Sequence, residues 1–323
     1  MSKRNMLLAG LLACSLSTIP LTSAAQNADS YPERPVTYIV PFNAGGASDI
    51  AARLQQKYYE DENGEKVVIQ YMAGAGGAQA WARLNTMQGD GYTIMGVNFP
   101  HTILQPMGGN VGYKTDDLVY VNFFQYTPSV IAVAKESEFQ TLDDLVTFAK
   151  ENPGLMTYSG SASRSGDEVA KERMDELAGM VTTYIPFSGT SPATAALLGG
   201  QVMASVTYTT EAVNQGDNLR VLAVAADERV PALPDVPTFK ELGYDFVGGA
   251  YRGVAVPNST PEEMRQAVSE SISRITANKK FVVEMERGGF VPVDIPYDEM
   301  DEFVANEVNF YSSVAKRIGL EPK

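Results

Sequence analysis

The sequence predicts an α/β fold, built from parallel sheets covered on both faces and arranged as two successive runs with a helical return. Three observations predict it. Short β-branched runs alternate with segments whose apolar residues recur at helical spacing, the connections are short, and strand ends pass into loops of glycine, serine and threonine. At 323 residues, 44% of them hydrophobic, the chain is long enough for two globular domains.

Val36 to Val40 is β-branched and leads through Pro41-Phe42 into Asn43-Ala44-Gly45-Gly46. From there Ile50, Leu54 and Tyr58 fall at helical spacing until Asn63-Gly64. The unit repeats as strand 66–71, glycine-rich loop 72–77, helix 79–87, the turn Gly89-Asp90-Gly91 and strand 92–97. After Pro128 the pattern resumes with strand 130–134 and a helix from Thr141, where Thr141-Leu142-Asp143-Asp144 resembles a capping box, to Asn152-Pro153-Gly154. Strand 156–159, helix 167–178, strand 182–185, helix 192–198 and strand 202–207 follow, and this second run is expected to form a sheet of its own. Arg229 to Pro237, with prolines at 231, 234 and 237, is the most loop-like stretch. Thr260-Pro261-Glu262-Glu263 reads as an N-cap, a proline at the first helical position and first-turn acids, and the remainder is expected to be mostly helical.

The N-terminus reads as a secretory signal peptide, residues 1–25. Lys3 and Arg4 precede the apolar run Met6 to Leu16, and small residues follow to Ala24-Ala25. The run is shorter than the ~20 apolar residues of a membrane span, so a soluble, periplasmic protein is expected. Leu11-Leu12-Ala13-Cys14 also resembles a lipoprotein cleavage box, which leaves lipid anchoring at Cys14 as the alternative. Cys14 is the only cysteine, so the mature chain has none for disulfides, thiolate catalysis or zinc. The net charge is −14 and grows more negative once Lys3 and Arg4 are removed, which excludes nucleic acid and anionic membranes as partners.

Three loops fall at the carboxyl ends of predicted parallel strands, where open α/β sheets bind ligands: Phe42 to Asp49, Met72 to Gly77, and Ser159 to Asp167. Phe187-Ser188-Gly189-Thr190-Ser191 has the same character. Such loops at helix N-termini offer N–H groups, hydroxyls and the positive end of a helix dipole to an anion. Each charge–dipole contact supplies only ~0.3–1 kcal/mol, so several loops must converge on one carboxylate. Catalytic equipment is missing. Gln79 spoils a dinucleotide fingerprint at Gly74-Ala75-Gly76-Gly77, no P-loop or Gly-x-Ser-x-Gly elbow occurs, and His101 is the only histidine. No enzyme activity, metal or cofactor is expected.

Asp49 is either an N-cap or first-turn acid that shapes its loop, or a ligand contact. Asn98 and His101 follow the third strand of the first run; His101 donates to a ligand oxygen or fills a capping or core hydrogen bond. Arg164 either clamps a second carboxylate or pairs with Glu168. Tyr208 offers a ring and a hydroxyl to a cleft, and Arg252 is read as structural, near a crossover.

Several stretches together resemble one family. They are Tyr31-Pro32-Glu33-Arg34-Pro35-Val36, Val40 to Asp49, Ala73 to Gly77, Asp90-Gly91-Tyr92-Thr93, Leu197 to Val202, Leu222-Ala223-Val224, Leu233 to Thr238 and Gly253 to Pro257. In order, and over essentially the whole mature chain, they resemble the extracytoplasmic substrate-binding proteins of tripartite tricarboxylate transporters, the Bug receptors. The resemblance implies a two-lobed periplasmic-binding-protein clamshell (type II) with two crossover segments. Lobe one would be 31–127 plus 249–323 and lobe two 128–248.

The resemblance further implies that a carboxylate is gripped by the first loop (Phe42, Ala44, Gly45, Gly46, Ser48, Asp49) and the second (Ala75, Gly76, Gly77), through backbone groups and waters. Ser159, Ser161, Ser163 and Arg164, with Phe187, Ser188, Gly189, Thr190, Thr207 and Tyr208, would select the rest of the molecule. The implied partners are a small carboxylate and the permease subunits of the transporter, with the receptor acting as a monomer; signalling to a membrane sensor kinase is the alternative role. Two departures from the family pattern, Tyr71-Met72 before the second loop and Pro186-Phe187-Ser188-Gly189, make the cleft less basic. They favour a dicarboxylate, aliphatic or aromatic, over a tricarboxylate.

Overall fold

In the computed structural model, which describes residues 28–317, the first run begins with β1 (Val36–Val40), α1 (Ala47–Asn63) and β2 (Val67–Tyr71). It continues through α2 (Ala78–Leu84), β3 (Thr93–Phe99) and α3 (His101–Met107). β1 pairs in parallel with β2 on one side and β3 on the other, so the three strands end on the same edge. The expected signal peptide, residues 1–25, and Cys14 lie outside the described residues.

β4 (Val119–Ala134) then leads into α4 (Leu142–Glu151), β5 (Thr157–Gly160), α5 (Gly166–Ala178) and β6 (Thr183–Pro186). α6 (Thr190–Leu198), β7 (Ala204–Tyr208), α7 (Thr209–Gln215) and β8 (Leu219–Val224) complete the second run. The capping box at α4 is formed: Asp144 N–H donates to Thr141 Oγ1 at 3.2 Å, and Thr141 N–H donates back to Asp144 Oδ2 at 2.9 Å. The chain returns through β9 (Gly249–Val256), α8 (Glu262–Thr276), α9 (Lys279–Arg287), β10 (Val291–Ile295) and α10 (Met300–Arg317).

The second run has its own set of strand pairings, as expected, but shares β4 with the first, so the two sheets are joined. The strand order β2-β1-β3-β9-β4-β7-β5-β6 is continuous. β4 is the link, pairing with β9 and β10 along its first half and with β7 and β8 along its second. Pro128 sits where β4 changes partners, opposite Gly249 of β9 and next to Ser129 opposite Tyr208 of β7. A missing N–H is tolerated at such a junction. The polar Asn122, Gln125 and Thr127 ahead of it hid the strand from a reading based on apolar runs, although all three are fully buried.

Two further elements differ from expectation. β10 interrupts the stretch expected to be helical; it is a short, proline-containing strand off the main path. α8 starts one residue late. Pro261, with ψ 150°, is its N-cap, which leaves the Thr260 hydroxyl without a hydrogen bond while the Thr260 carbonyl accepts from Arg265 Nε at 2.8 Å.

Two apolar cores lie on either side of the crossover strands β4 and β9. The larger includes Val36, Trp81, Phe99, Phe123, Ile272 and Phe281, and the second Ile131, Leu145, Met174, Val206 and Phe239. Each core is closed on itself, so the loops between them form a seam.

Candidate functional site: a donor-lined cavity between the lobes

The four loops singled out in the sequence meet along that seam. Ser191 Oγ donates to the Ala44 carbonyl at 3.3 Å, and Asn43 Nδ2 donates to Ser188 Oγ at 3.3 Å. His101 Nε2 lies 3.4 Å from Ser161 Oγ. The second loop carries three consecutive left-handed residues, Ala75, Gly76 and Gly77, and at Gly76 a Cβ would stand 2.4 Å from Ala162 Cβ of the other lobe. A glycine is required there twice over, for its φ of 61° and for the approach.

Behind these contacts the seam leaves a narrow gap of about 10 Å³, room for about one water. The residues after β1 and β3 contribute Phe42, Gly46, Ala47, Ser48, Asn98 and His101; those after β5 and β6 and at the end of β7 contribute Ser161, Thr190 and Tyr208, and β9 contributes Arg252. A second opening in the seam is lined by Ala75, Gly76, Ser163, Arg164, Phe187 and Ser188 among the predicted residues, with apolar Ala78, Val111 and Pro186. The remaining predicted residues support the walls: Ala44, Gly45, Asp49, Gly77, Ser159, Gly189 and Thr207 line neither space.

Asp49 ties its own loop down. Its buried carboxylate accepts from Gly45 N–H at 2.7 Å and Tyr71 Oη at 2.7 Å, and pairs with Arg53 at 3.0 Å. Tyr71 thus anchors the acid that shapes the first loop. Lobe two repeats the device: Asp167 Oδ2 accepts from Ser161 N–H at 2.6 Å, and Glu168 accepts from Arg164 N–H. First-turn acids therefore occupy three of the loop N–H groups that the sequence reading counted as offered to an anion. Ser159 Oγ is likewise committed, donating to the Ala193 carbonyl at 3.1 Å.

Arg164 has a left-handed φ of 52° and lies against the end of α3, where a Cβ on Gly108 would fall 1.9 Å from its Cζ. Among the described residues it forms no ion pair; Glu168 takes its backbone N–H instead.

Arg252, read from the sequence as structural and near a crossover, lies on β9 and also lines the gap. It is 3% exposed, its Nε lies 3.4 Å from Ser48 Oγ, its Nη1 donates to Thr127 Oγ1, and its guanidinium stands 4.7 Å over the Tyr208 ring. The available signal was a lone cation inside the apolar strand Gly249–Val256. Burial, followed by the nearby positive charge of Arg252, pushes the His101 pKa down to about 3, so the imidazole is neutral. Burial raises the Asp167 carboxyl. The cavity wall is thus one guanidinium, a neutral imidazole, an amide and hydroxyls, with no carboxylate among its lining residues. Among the described residues no group of three or more His, Cys, Asp or Glu is arranged to hold a metal ion.

Residues 51–320 match the family model described as the tripartite tricarboxylate transporter family receptor. The chain belongs to that family. It is 30% identical to Protein BugT of Bordetella pertussis over 308 residues, covering 93% of this chain and 94% of BugT. The periplasmic binding protein BugD superposes with a TM-score of 0.84 at 27% identity, covering 91% of this chain and all of BugD. MatC from Rhodopseudomonas palustris, solved with bound malate, superposes with a TM-score of 0.79 at 25% identity, covering 88% of this chain and 99% of MatC. This receptor therefore has the two-lobed fold of periplasmic solute-binding proteins, and its family is one of receptors rather than enzymes. Among the described residues, no helix is long and apolar enough to cross a membrane.

Proposed function

We propose that this receptor is exported by residues 1–25, captures a small organic carboxylate between lobes 31–127 plus 249–323 and 128–248, and hands it to the permease subunits of a tripartite transporter. The observation that carries this reading is the interlobe cavity, whose polar lining is made of donors contributed by both lobes and β9. An anion there satisfies groups from both halves at once, which favours the closed arrangement in proportion to its affinity. The malate bound by MatC supports a small carboxylate, which the gap of about 10 Å³ admits only as the lobes part. Lobe closure, with a monomer as the working unit, is the whole mechanism; no bond is made or broken.

The test is a thermal-shift screen of residues 26–323, unfolded and refolded to strip any co-purified ligand, against malate, adipate, citrate, benzoate and neutral sugars. A ligand at a hundred times its Kd stabilises by about 2.7 kcal/mol, a shift of several degrees. Shifts confined to carboxylates support the proposal; shifts only with neutral sugars overturn it. Loss of uptake of that acid in a deletion strain supports delivery, whereas loss of induction with uptake intact contradicts it.

A further inference from the structure

We propose that Arg252 is the charged anchor of the ligand and the residue that restricts the site to ligands presenting an anionic carboxylate at its inner end. The inference rests on the carboxylate-receptor reading above and assigns its specificity to a strand residue rather than to the loops. Arg252 is buried beside the cavity, yet no carboxylate among the described residues lies within 4.0 Å of it. Its bonded partners are two hydroxyls, Ser48 and Thr127, and a ring, Tyr208; Nη2 makes no hydrogen bond to a described residue. Asp167 acts on it from beyond ion-pair distance; its Oδ2 accepts from Ser161 N–H, while its buried Oδ1 has no hydrogen-bond partner among the described residues. A guanidinium held in this way has donors left over in a dehydrated site, and a planar carboxylate is the group that matches its fork.

Arg164 is the competing anchor: it lines the second opening, of about 410 Å³, beside apolar Val111, Pro186 and Phe187, packs on Gly108, and its buried Nε has no hydrogen-bond partner among the described residues. The inner cavity offers no second cation, since His101 is neutral. A neutral ligand would leave the guanidinium with only the Asp167 carboxyl, beyond ion-pair distance, as counter-charge when the lobes close, so weaker binding of amides and sugars follows from the same residue.

Arg252 also spans the parts that move. It sits on β9, bonds Ser48 of lobe one and Thr127 of the other crossover strand, and covers Tyr208 of lobe two. A carboxylate docked on it is therefore felt on both sides of the seam.

The test is calorimetric titration of the stripped wild type, Arg252→Gln, Arg252→Lys and Arg164→Gln with malate, adipate and benzoate, each paired with its neutral amide. For any acid the wild type binds, the expected result is at least tenfold discrimination against the amide. Affinity for the acid should fall about a hundredfold in Arg252→Gln and recover partly in Arg252→Lys, with a smaller loss in Arg164→Gln. An acid bound equally well by wild type and a folded Arg252→Gln overturns this inference while leaving the receptor reading standing. If Arg252→Gln does not fold, equal wild-type affinity for acid and amide overturns it instead. If the wild type binds none of the acids, the carboxylate reading itself fails, and this inference with it.

Discussion

The guanidinium of Arg252 stands 4.7 Å from the centre of the Tyr208 ring, a residue of the crossover strand stacked on one from lobe two. The ring shields the cation from water and fixes its plane, and a desolvated cation–π contact contributes roughly 2 kcal/mol or more. Tyr208→Phe keeps the face and should bind the ligand within about threefold of wild type. Tyr208→Leu should weaken binding at least tenfold with the fold intact by circular dichroism. Equal titrations for the two variants would contradict the role given to the ring.

Gly76→Ala should separate folding from closure. The added methyl costs about 1–2 kcal/mol in a left-handed conformation, a modest loss of melting temperature. In the closed arrangement it also meets Ala162 Cβ at 2.4 Å, so affinity should drop by more than the stability loss explains. Gly46 is the milder position: its φ is −85° and a Cβ there meets Ser191 Oγ at 3.4 Å, so Gly46→Ala should bind nearly normally. The comparison is read by calorimetry and thermal melts; a Gly76→Ala protein with wild-type affinity would refute the close approach.

His101 gives a pH signature. Its folded pKa is about 3 and its ordinary value 6.5, so below 6.5 the unfolded chain takes up a proton that the folded chain refuses. This contribution lowers stability as pH falls from 6.5 toward 3. His101→Gln should flatten that limb in melts recorded from pH 7 to 4. Ligand affinity should not change around pH 6.5, and a titration there would show that the imidazole is charged in the native state.

Glu307 gives the opposite sign. Partial burial beside Tyr126, Tyr251 and Tyr311, near the crossover strands, raises its carboxyl to about 7. Between pH 4.5 and 7 the folded chain holds a proton that the unfolded chain has lost, so this contribution falls as pH rises. Glu307→Gln should raise the melting temperature at pH 8 and leave it unchanged at pH 4. A variant less stable at pH 8 would contradict the desolvation of the half-buried carboxyl.

How much of this was legible follows from the physics of each element. Helix starts marked by side-chain chemistry, such as Thr141 with Asp144, were readable because capping is local. The long strand β4 was not, because its buried polar residues and Pro128 imitate a loop and their partners come from β9, more than a hundred residues away. The loop positions facing the seam could be ranked by glycine content, but which N–H groups remain free could not, since Asp49, Asp167 and Glu168 claim them through geometry that only the fold supplies. That Arg252 also lines the gap was not legible, because a single cation in a strand has no local partner pattern and its neighbours Ser48, Thr127 and Tyr208 are scattered along the chain.

The most direct measurement is a crystal structure of the refolded protein with whichever carboxylate gives the largest thermal shift. The account predicts the ligand in the cavity between Phe42, His101, Ser161 and Thr190, with one carboxylate about 3 Å from Arg252 Nη2 and both lobes in contact with it. A ligand lodged only against the outer opening at Arg164, or one whose carboxylate stays beyond bonding distance of Arg252, would contradict it.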